Sequence, residues 1–372
     1  MNSDRHINVL QFICPTGFYG AERWIIALAR HLDSSSIRCD LAVTREPENP
    51  DLELVKAWRE LCPGEVIEVP MRNRFDIRVI NQLVDLIRER NIHIIHTHGY
   101  KSDILGVIAA RRAGIRCVTT PHGFENARDI KLRTFIWLGC KAMTYADAVV
   151  PLSQQLMGDS RRAGVKEARL HYIQNGVDLT EVDAQREQPR QSGDKRRIGF
   201  IGQLISRKNV TDILDIFNTL HQERDDIELC LLGDGDQRQS LEAHADTLPS
   251  RPDIHFLGFR QDRLALLQSF DLFVMTSTLE GIPRCLMEAC AMGVPVAAYD
   301  IPGIDQLIRH AHSGLLAAPG DRATLTQHWR TLLDDAEQSS ALAAKAREDV
   351  HAHYSAQRMA DEYSALFREV AA

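Results

Sequence analysis

Glu280 and Glu288, separated by seven residues in Glu280-Gly-Ile-Pro-Arg-Cys-Leu-Met-Glu288, are the pair best suited to chemistry in this 372-residue chain. They lie between an apolar run read as a strand, Asp271–Ser277, and a helical run leading into Ala289-Cys-Ala-Met-Gly293-Val-Pro295. Gly281 and Pro283 interrupt the chain, so the turn after Glu280 is expected to leave backbone N–H groups unpaired at a helix start. Such donors, together with the helix dipole, attract phosphate. Carboxylates on either side accept bonds from sugar hydroxyls, and the combination suits a sugar nucleotide. Glutamates at this spacing also occur on solvated helix faces. Glu288, however, stands in the apolar stretch Cys285–Met292, where a charge without a partner is expensive.

Cations for such a site come from Gly199-Phe-Ile-Gly202-Gln203-Leu-Ile-Ser-Arg207-Lys208, read as a strand, a loop and a helix beginning near Lys208. Arg207 offers a planar fork and Lys208 a point charge, both suited to a diphosphate. The turn Gly233-Asp-Gly235-Asp236 evokes a dinucleotide fingerprint, but Arg238 stands where the third glycine belongs, so the turn reads as structural, at the border of a nucleotide base. Nearer the N-terminus, Gly17 and Gly20 in Pro15-Thr-Gly-Phe-Tyr-Gly-Ala-Glu22 let backbone approach a ligand at a helix start. His93, His96 and His98 resemble metal ligands, yet strand alternation sends His93 to the opposite face and no aspartate or cysteine completes a set, so no metal is expected. His122, in Thr119-Thr-Pro-His-Gly-Phe124, reads as a crevice-facing hydrogen-bonding group or as a satisfied structural histidine.

Composition bounds the class. Hydrophobic residues at 44% and charged ones at 26% are ordinary for a globular protein, and the length favours two domains. The eight cysteines are scattered without a C-x-x-C pair and read as reduced core residues. No stretch has the pattern of a signal peptide or the length of a membrane span, so a cytoplasmic protein is expected. The net charge of −7 is unevenly spread: residues 1–185 carry 24 Lys+Arg against 23 Asp+Glu, and residues 186–372 carry 20 against 28. Within residues 72–169 there are 17 basic and 9 acidic residues, among them Arg74, Arg111, Lys131, Arg133 and Lys141. Such a surface suits an anionic partner, such as a lipid diphosphate or an acidic leaflet at the inner face of a membrane, and equally an ordinary solvated helical face.

The elements that must position these residues alternate between apolar β-rich runs and amphipathic helical ones. Strands are expected at 7–14, 39–43, 66–69, 93–96, 117–120, 148–151 and 170–173, and again at 198–201, 228–232, 254–257, 272–275 and 294–297. Continuous apolar strands with crossover helices imply parallel sheets covered on both faces. The expectation is an α/β protein of two doubly wound, Rossmann-like domains facing across a cleft. Residues 1–180 would form the first domain, 181–197 a polar linker and 198–352 the second, with 353–372 a helix packing back on the first.

Taken in order, several segments resemble the family-4 retaining glycosyltransferases of GT-B fold. They are Gly17-Phe-Tyr-Gly20-Ala-Glu22, His96-Thr-His-Gly99, Thr120-Pro-His122-Gly123, Ser153, Asn175-Gly-Val-Asp178, the Gly202…Lys208 loop, and Glu280 to Glu288 followed by Gly293-Val-Pro295. The resemblance covers nearly the whole chain. It implies a retaining transferase, moving a hexosyl or N-acetylhexosaminyl group from a nucleotide-diphosphate sugar to a glycan or lipid-diphosphate-linked acceptor in cell-envelope polysaccharide synthesis. It implies no cofactor, no metal and no nucleic-acid partner, and allows peripheral membrane contact. By the same resemblance Lys208 contacts the diphosphate, Glu288 the ribose and Glu280 the transferred sugar. Amides near Gly281, Ile282 and Arg284 cradle phosphate and sugar, Gly17 and Gly20 flank the diphosphate, and His122 approaches the sugar. One departure stands out: Gln203 occupies the place where the family commonly has arginine, which puts the compensating charge on Arg207. The other readings are a nucleotide-sugar epimerase of the same fold and a silent glycan- or nucleotide-binding protein.

Overall fold

Apolar, β-branched runs flanked by turn residues fold here into two sheets of six parallel strands. The computed structural model describes residues 6–15, 17–18, 20–46, 52–73, 76–123, 130–191 and 193–372, with the side chains of 130–132 excepted. Thr16, Tyr19, Arg74, Phe124 and the Lys131 side chain, named above, lie outside the described residues. The chain divides into two units, Met1–Gly176 with Ala356–Ala372, and Val177–Ser355.

In the first unit the strands are β1 (Ile7–Ile13), β2 (Ile37–Arg45), β3 (Val66–Pro70), β4 (Ile94–His98), β5 (Arg116–Thr119) and β6 (Ala148–Val149), in the order β3-β2-β1-β4-β5-β6. In the second they are β7 (Arg196–Ile201), β8 (Ile227–Leu232), β9 (Ile254–Gly258), β10 (Leu272–Met275), β11 (Val296–Tyr299) and β12 (Leu315–Ala317), in the order β12-β11-β10-β7-β8-β9. Numbered from its own first strand, each sheet has the doubly wound order 3-2-1-4-5-6. Each therefore reverses direction beside its first strand, between β1 and β4 and between β7 and β10. The crevice at the carboxyl ends of such a strand pair is where ligands bind in open α/β sheets. Both units have the α/β, doubly wound architecture expected from the sequence.

Local differences from the expectation have physical causes. Residues 170–173 form no strand: Leu170 makes only an isolated bridge to Val149, because β6 has shrunk to two residues and offers little edge to extend. β11 begins at Val296 rather than 294, since Gly293 ends the preceding helix in a left-handed conformation (φ +81°) and Val294 N still bonds back to Ala289 O. β12 lies in a three-residue apolar run too short for pattern reading. The stretch 181–197 is not simply a linker: Leu179–Arg186 is a helix whose N-cap, Asp178, accepts from Glu181 N at 3.2 Å. That helix lies in the second unit, which begins at Val177.

The C-terminal helix Ala356–Ala371 belongs to the first unit. Its apolar face (Met359, Ala360, Tyr363, Leu366, Phe367) is buried with Trp24, Ile25 and Leu28 of helix Gly20–His31. Polar contacts fix its course: Arg358 donates to Gln174 O at 2.6 Å, and Arg368 pairs with Asp33 at 3.3 Å. Phe367 is fully buried and its ring meets that of His96 at 5.5 Å. Phe367→Ala is expected to destabilise the first unit by about 3–5 kcal/mol, measurable as a shift of its urea midpoint. A change within error would show that this helix is not part of that core.

Candidate active site

In the second unit, the loop after β7 and the turn after β10 are tied together by two threonines just beyond β10. Thr276 Oγ1 donates to Asn209 O at 2.8 Å, and Thr278 N donates to Arg207 O at 2.8 Å. These bonds hold Arg207 and Lys208, in a short 3-10 turn at 206–208, against Glu280. Lys208 is only 6% exposed, and its ammonium pairs with Glu280 Oε1. Arg207, more exposed, reaches Leu279 O at 3.2 Å and Glu280 Oε2 at 3.4 Å. Burial alone would raise the Glu280 pKa, but Lys208 and then Arg207 outweigh it and hold the carboxyl below its usual range.

Glycines set the backbone of this corner. Gly233 has φ +132° and lies so close to the Gly202 carbonyl that a Cβ would stand 1.8 Å from its oxygen. Leu204 N donates to Asp234 O and Gln237 N to Leu204 O, both at 2.9 Å, so the Gly233–Gly235 turn braces the cation loop, as the structural reading has it. On the other side Gly303, with φ +98°, abuts the Gly281 carbonyl; a Cβ would meet that oxygen at 1.7 Å. Gln203 is half-buried.

After Glu280 the chain enters helix Arg284–Met292, whose N-cap is Pro283 and carries no side-chain cap. Its first backbone donors to bond back are Leu286 N and Met287 N, both to Pro283 O. The amides of Arg284 and Cys285 precede them, the arrangement that makes a helix start attract anions. Ile282 is buried in the core beneath.

Glu288, one helical turn beyond Arg284, is 2% exposed. Its Oε1 accepts from Arg263 Nη2 and from Arg284 Nε, each at 2.9 Å. Burial pushes the carboxyl up, but Arg263 and then Arg284 more than offset it and bring the pKa to about 2. Arg263 also donates to Glu181 at 3.1 and 3.2 Å. Sequence reasoning missed Arg263 and Glu181. The available signal was a lone arginine heading the apolar run Arg263-Leu-Ala-Leu-Leu; Glu181 fell in a stretch read as linker.

In the first unit, His122 follows β5 and belongs to a buried network at the carboxyl ends of β1, β4 and β5. Gln11 Nε2 faces Cys39 Sγ at 3.5 Å, leaving its Oε1 to accept from His98 Nε2–H at 2.8 Å. His98 Nδ1 is then the lone pair that accepts from His122 Nε2–H at 3.2 Å. His96 Nε2 is 2.8 Å from Thr120 Oγ1, which is 2.7 Å from the Tyr363 hydroxyl. The Trp24 ring lies between 5.1 and 6.0 Å from the rings of His96, His98, His122 and Tyr363. His93 points elsewhere, its Nδ1 accepting from Asn8 N at 2.9 Å. Among the described residues no group of three or more His, Cys, Asp or Glu is arranged to hold a metal ion. A small pocket beside His122 is lined by Gly99, Tyr100, Asp103, Gly139 and Cys140 among others. Burial lifts the Asp103 carboxyl to about 8, against the opposing bond from Thr97 Oγ1 at 2.6 Å.

Gly20 starts helix Gly20–His31 with open space where a Cβ would stand, and Gly17 is half-buried three residues before it. Of the residues singled out from sequence, then, Gly202, Arg207, Lys208, Glu280, Gly281, Ile282, Arg284 and Glu288 come together in the second unit. Gly17, Gly20 and His122 belong to the first.

Burial lowers the His122 pKa to about 4, and lowers His96 and His98 well below the ordinary histidine value. Below about pH 6.5 these histidines bind more protons in the unfolded chain than in the folded one, so the stability they contribute above that pH is lost as the pH falls toward 4. For His122 alone the loss between pH 7.5 and pH 5 is on the order of 2 kcal/mol. Urea unfolding at the two pH values should show it, with a smaller difference in His122→Gln; equal pH dependence in both proteins would overturn the assignment.

Residues 18–181 match the model of Glycosyltransferase Family 4, and residues 181–349 that of Glycosyl transferases group 1. The chain is 24% identical over 308 residues to the N-acetyl-alpha-D-glucosaminyl L-malate synthase of Bacillus anthracis, covering 80% of each. It is 27% identical over 266 residues to the UDP-Gal:alpha-D-GlcNAc-diphosphoundecaprenol alpha-1,3-galactosyltransferase of Escherichia coli, covering 66% of this chain and 67% of that one. Its fold resembles that of Anabaena HepE, solved in complex with UDP and glucose, with a TM-score of 0.82 at 20% identity over 98% of this chain and 100% of that one. Against an epimerase or a silent binder, both family models describe transferases. Both models describe glycosyltransferases and together they span residues 18–349, so the chain is a glycosyltransferase.

Proposed function

We propose that this transferase moves a hexosyl or N-acetylhexosaminyl group from a nucleotide-diphosphate sugar to a glycan or lipid-diphosphate-linked acceptor, with retention at the anomeric carbon. The observation that carries the reading is the buried Lys208–Glu280 pair, with Arg207 beside it, at the β7/β10 reversal ahead of an uncapped helix start. The E. coli relative, named for a UDP-Gal donor and a diphosphoundecaprenol acceptor, supports the donor and acceptor classes.

In this reading Lys208, Arg207 and the amides at Gly281, Ile282 and Arg284 meet the diphosphate beside Gly202, Glu280 takes hydroxyls of the sugar, and Glu288 takes those of the ribose. Gly17 and Gly20 flank the diphosphate, and the neutral His122 hydrogen-bonds the sugar. As the bond from C1 to the phosphate oxygen breaks, its electron pair leaves with the diphosphate, where the cations and amides stabilise the growing charge. The acceptor oxygen bonds C1 on the same face, and its proton passes to the departing phosphate oxygen. Two side-chain cations at the loop supply charge that a divalent ion supplies elsewhere, and we propose that no metal is needed.

We also propose that the enzyme works at an acidic membrane surface. No helix among the described residues is long and apolar enough to cross a membrane. On helix Ile130–Met143, Trp137 is 62% exposed and Leu138 45%, with Arg133 exposed one turn before. Arg111 and Lys141 lie over the exposed Tyr145 ring at 4.7 and 5.8 Å. Aromatic residues among cations are the pattern of an interfacial anchor. Many other basic residues of this unit are spent on ion pairs, such as Arg78 with Asp76 and Arg161 with Glu167.

Nucleotide release from UDP-, GDP-, ADP- and dTDP-sugars tests the first proposal. Release from one donor, abolished in Glu280→Ala and Lys208→Ala and lowered about ten- to hundredfold in Arg207→Ala, is the expected result. Normal turnover in Arg207→Ala would remove its compensating role, and no donor binding at all would overturn the reading. For the second, sedimentation with phosphatidylglycerol vesicles should retain the wild type and release a Trp137→Ser/Lys141→Glu variant. Equal retention of the two proteins would refute this anchor.

A further inference from the structure

Glu288 is gripped on one side only. Both of its arginines bond Oε1, and Oε2 takes no hydrogen bond from any described residue. The carboxylate is 2% exposed, so the geometry of those two bonds governs where Oε2 points. Arg284 stands on the same helix, four residues before Glu288, and a bond of that kind turns with the helix it belongs to. Arg263 comes from a different helix, Arg263–Gln268, and is itself 8% exposed. Its far side is held by Glu181, which reaches it from helix Leu179–Arg186. Glu181 also lies 3.6 Å from Arg284 Nη2, so two carboxylates and two guanidinia alternate around a closed circuit. That circuit balances charge, but balance alone needs no particular oxygen. Placing both arginines on Oε1 and none on Oε2 divides the carboxylate into an anchored oxygen and a receiving one.

We propose that Arg263 is a positioning residue for nucleotide recognition: braced by Glu181, it fixes the Glu288 carboxylate so that Oε2 is presented to the vicinal hydroxyls of the donor's ribose. The inference rests on the reading above that Glu288 receives the ribose. It adds that discrimination for ribose depends on a residue that does not touch the nucleotide. A carboxylate anchored through Oε1 accepts hydroxyl protons at Oε2 along defined directions, whereas a carboxylate free to rotate accepts equally from water. Losing Arg263 therefore weakens binding of the ribonucleotide and spares that of an analogue lacking the hydroxyls. A purely structural role would weaken both together.

Calorimetry with UDP, GDP and ADP, each against its 2′,3′-dideoxy counterpart, tests this in the full-length protein. Wild type is expected to bind at least one ribonucleotide about tenfold or more tighter than the dideoxy form. Glu288→Ala is expected to abolish that ratio, and Arg263→Met to reduce it to about twofold while dideoxy affinity holds. If Glu288→Ala keeps the ratio, or wild type shows none for any of the three, the ribose reading of Glu288 fails and the proposal with it. If Glu288→Ala abolishes the ratio and Arg263→Met preserves it, the reading stands and the positioning role is overturned. Should Arg263→Met be too unstable to assay, Arg263→Lys keeps the charge and removes only the fork. An intermediate ratio then supports the proposal and a wild-type ratio rejects it.

Discussion

Burying a carboxylate is tolerable only where a cation comes with it, and the second unit is built around meeting that condition twice. Glu280 and Glu288 are 6% and 2% exposed. Removing one partner from a buried pair typically costs about 3–5 kcal/mol, because the other charge is left uncompensated. Lys208 and Arg207 meet the condition for Glu280; Arg263 and Arg284 meet it for Glu288. The loop after β7 must therefore lie against the turn after β10, and Thr276 and Thr278 secure it there through backbone carbonyls. Helix Leu179–Arg186 must approach as well, because Arg263 has a second side to satisfy. The same pairs keep both carboxylates ionised at neutral pH, the state in which they accept hydroxyl protons.

The first unit treats its ionisable groups in the opposite way. At the ends of β4 and β5 no counter-ion among the described residues offsets the burial of the imidazoles, which leaves His96, His98 and His122 neutral. Burial likewise raises the Asp103 carboxyl to about 8, which favours its protonated form near neutral pH. A neutral imidazole has one donor and one acceptor, and the chain from Gln11 through His98 decides which nitrogen of His122 is which. At these strand ends, then, the second unit places paired charge and the first places hydrogen-bonding groups without charge.

How much of this was legible differs from residue to residue. Strands such as Leu272–Met275 and Ile227–Leu232 are continuous apolar runs, because both faces of a parallel sheet are covered, and they stand out in the sequence. Glu280, Lys208 and His122 were legible because each stands in the loop or turn that follows a strand. Helix Leu179–Arg186 was not: it buries Val182 and, apart from Leu179 and Ala184, otherwise carries polar residues, so it has little apolar stripe to read. Arg263 was missed for a related reason. A single arginine at the head of an apolar run looks like a surface residue until the helix is packed.

By itself the sequence determined the doubly wound class, the strand ends at which chemistry-bearing residues stand, and the glycines that the tight turns require. These follow from the periodicity of burial and from backbone sterics, which are local properties. Tertiary structure alone decided which charges are partners. Arg263 lies 82 residues from Glu181 and 25 from Glu288, Lys208 lies 72 from Glu280, and His98 lies 87 from Gln11. Such pairings depend on how sheets and helices bring distant segments within hydrogen-bond reach. The direction in which a carboxylate oxygen or an imidazole nitrogen finally points is set by those partners, which spacing along the chain does not specify.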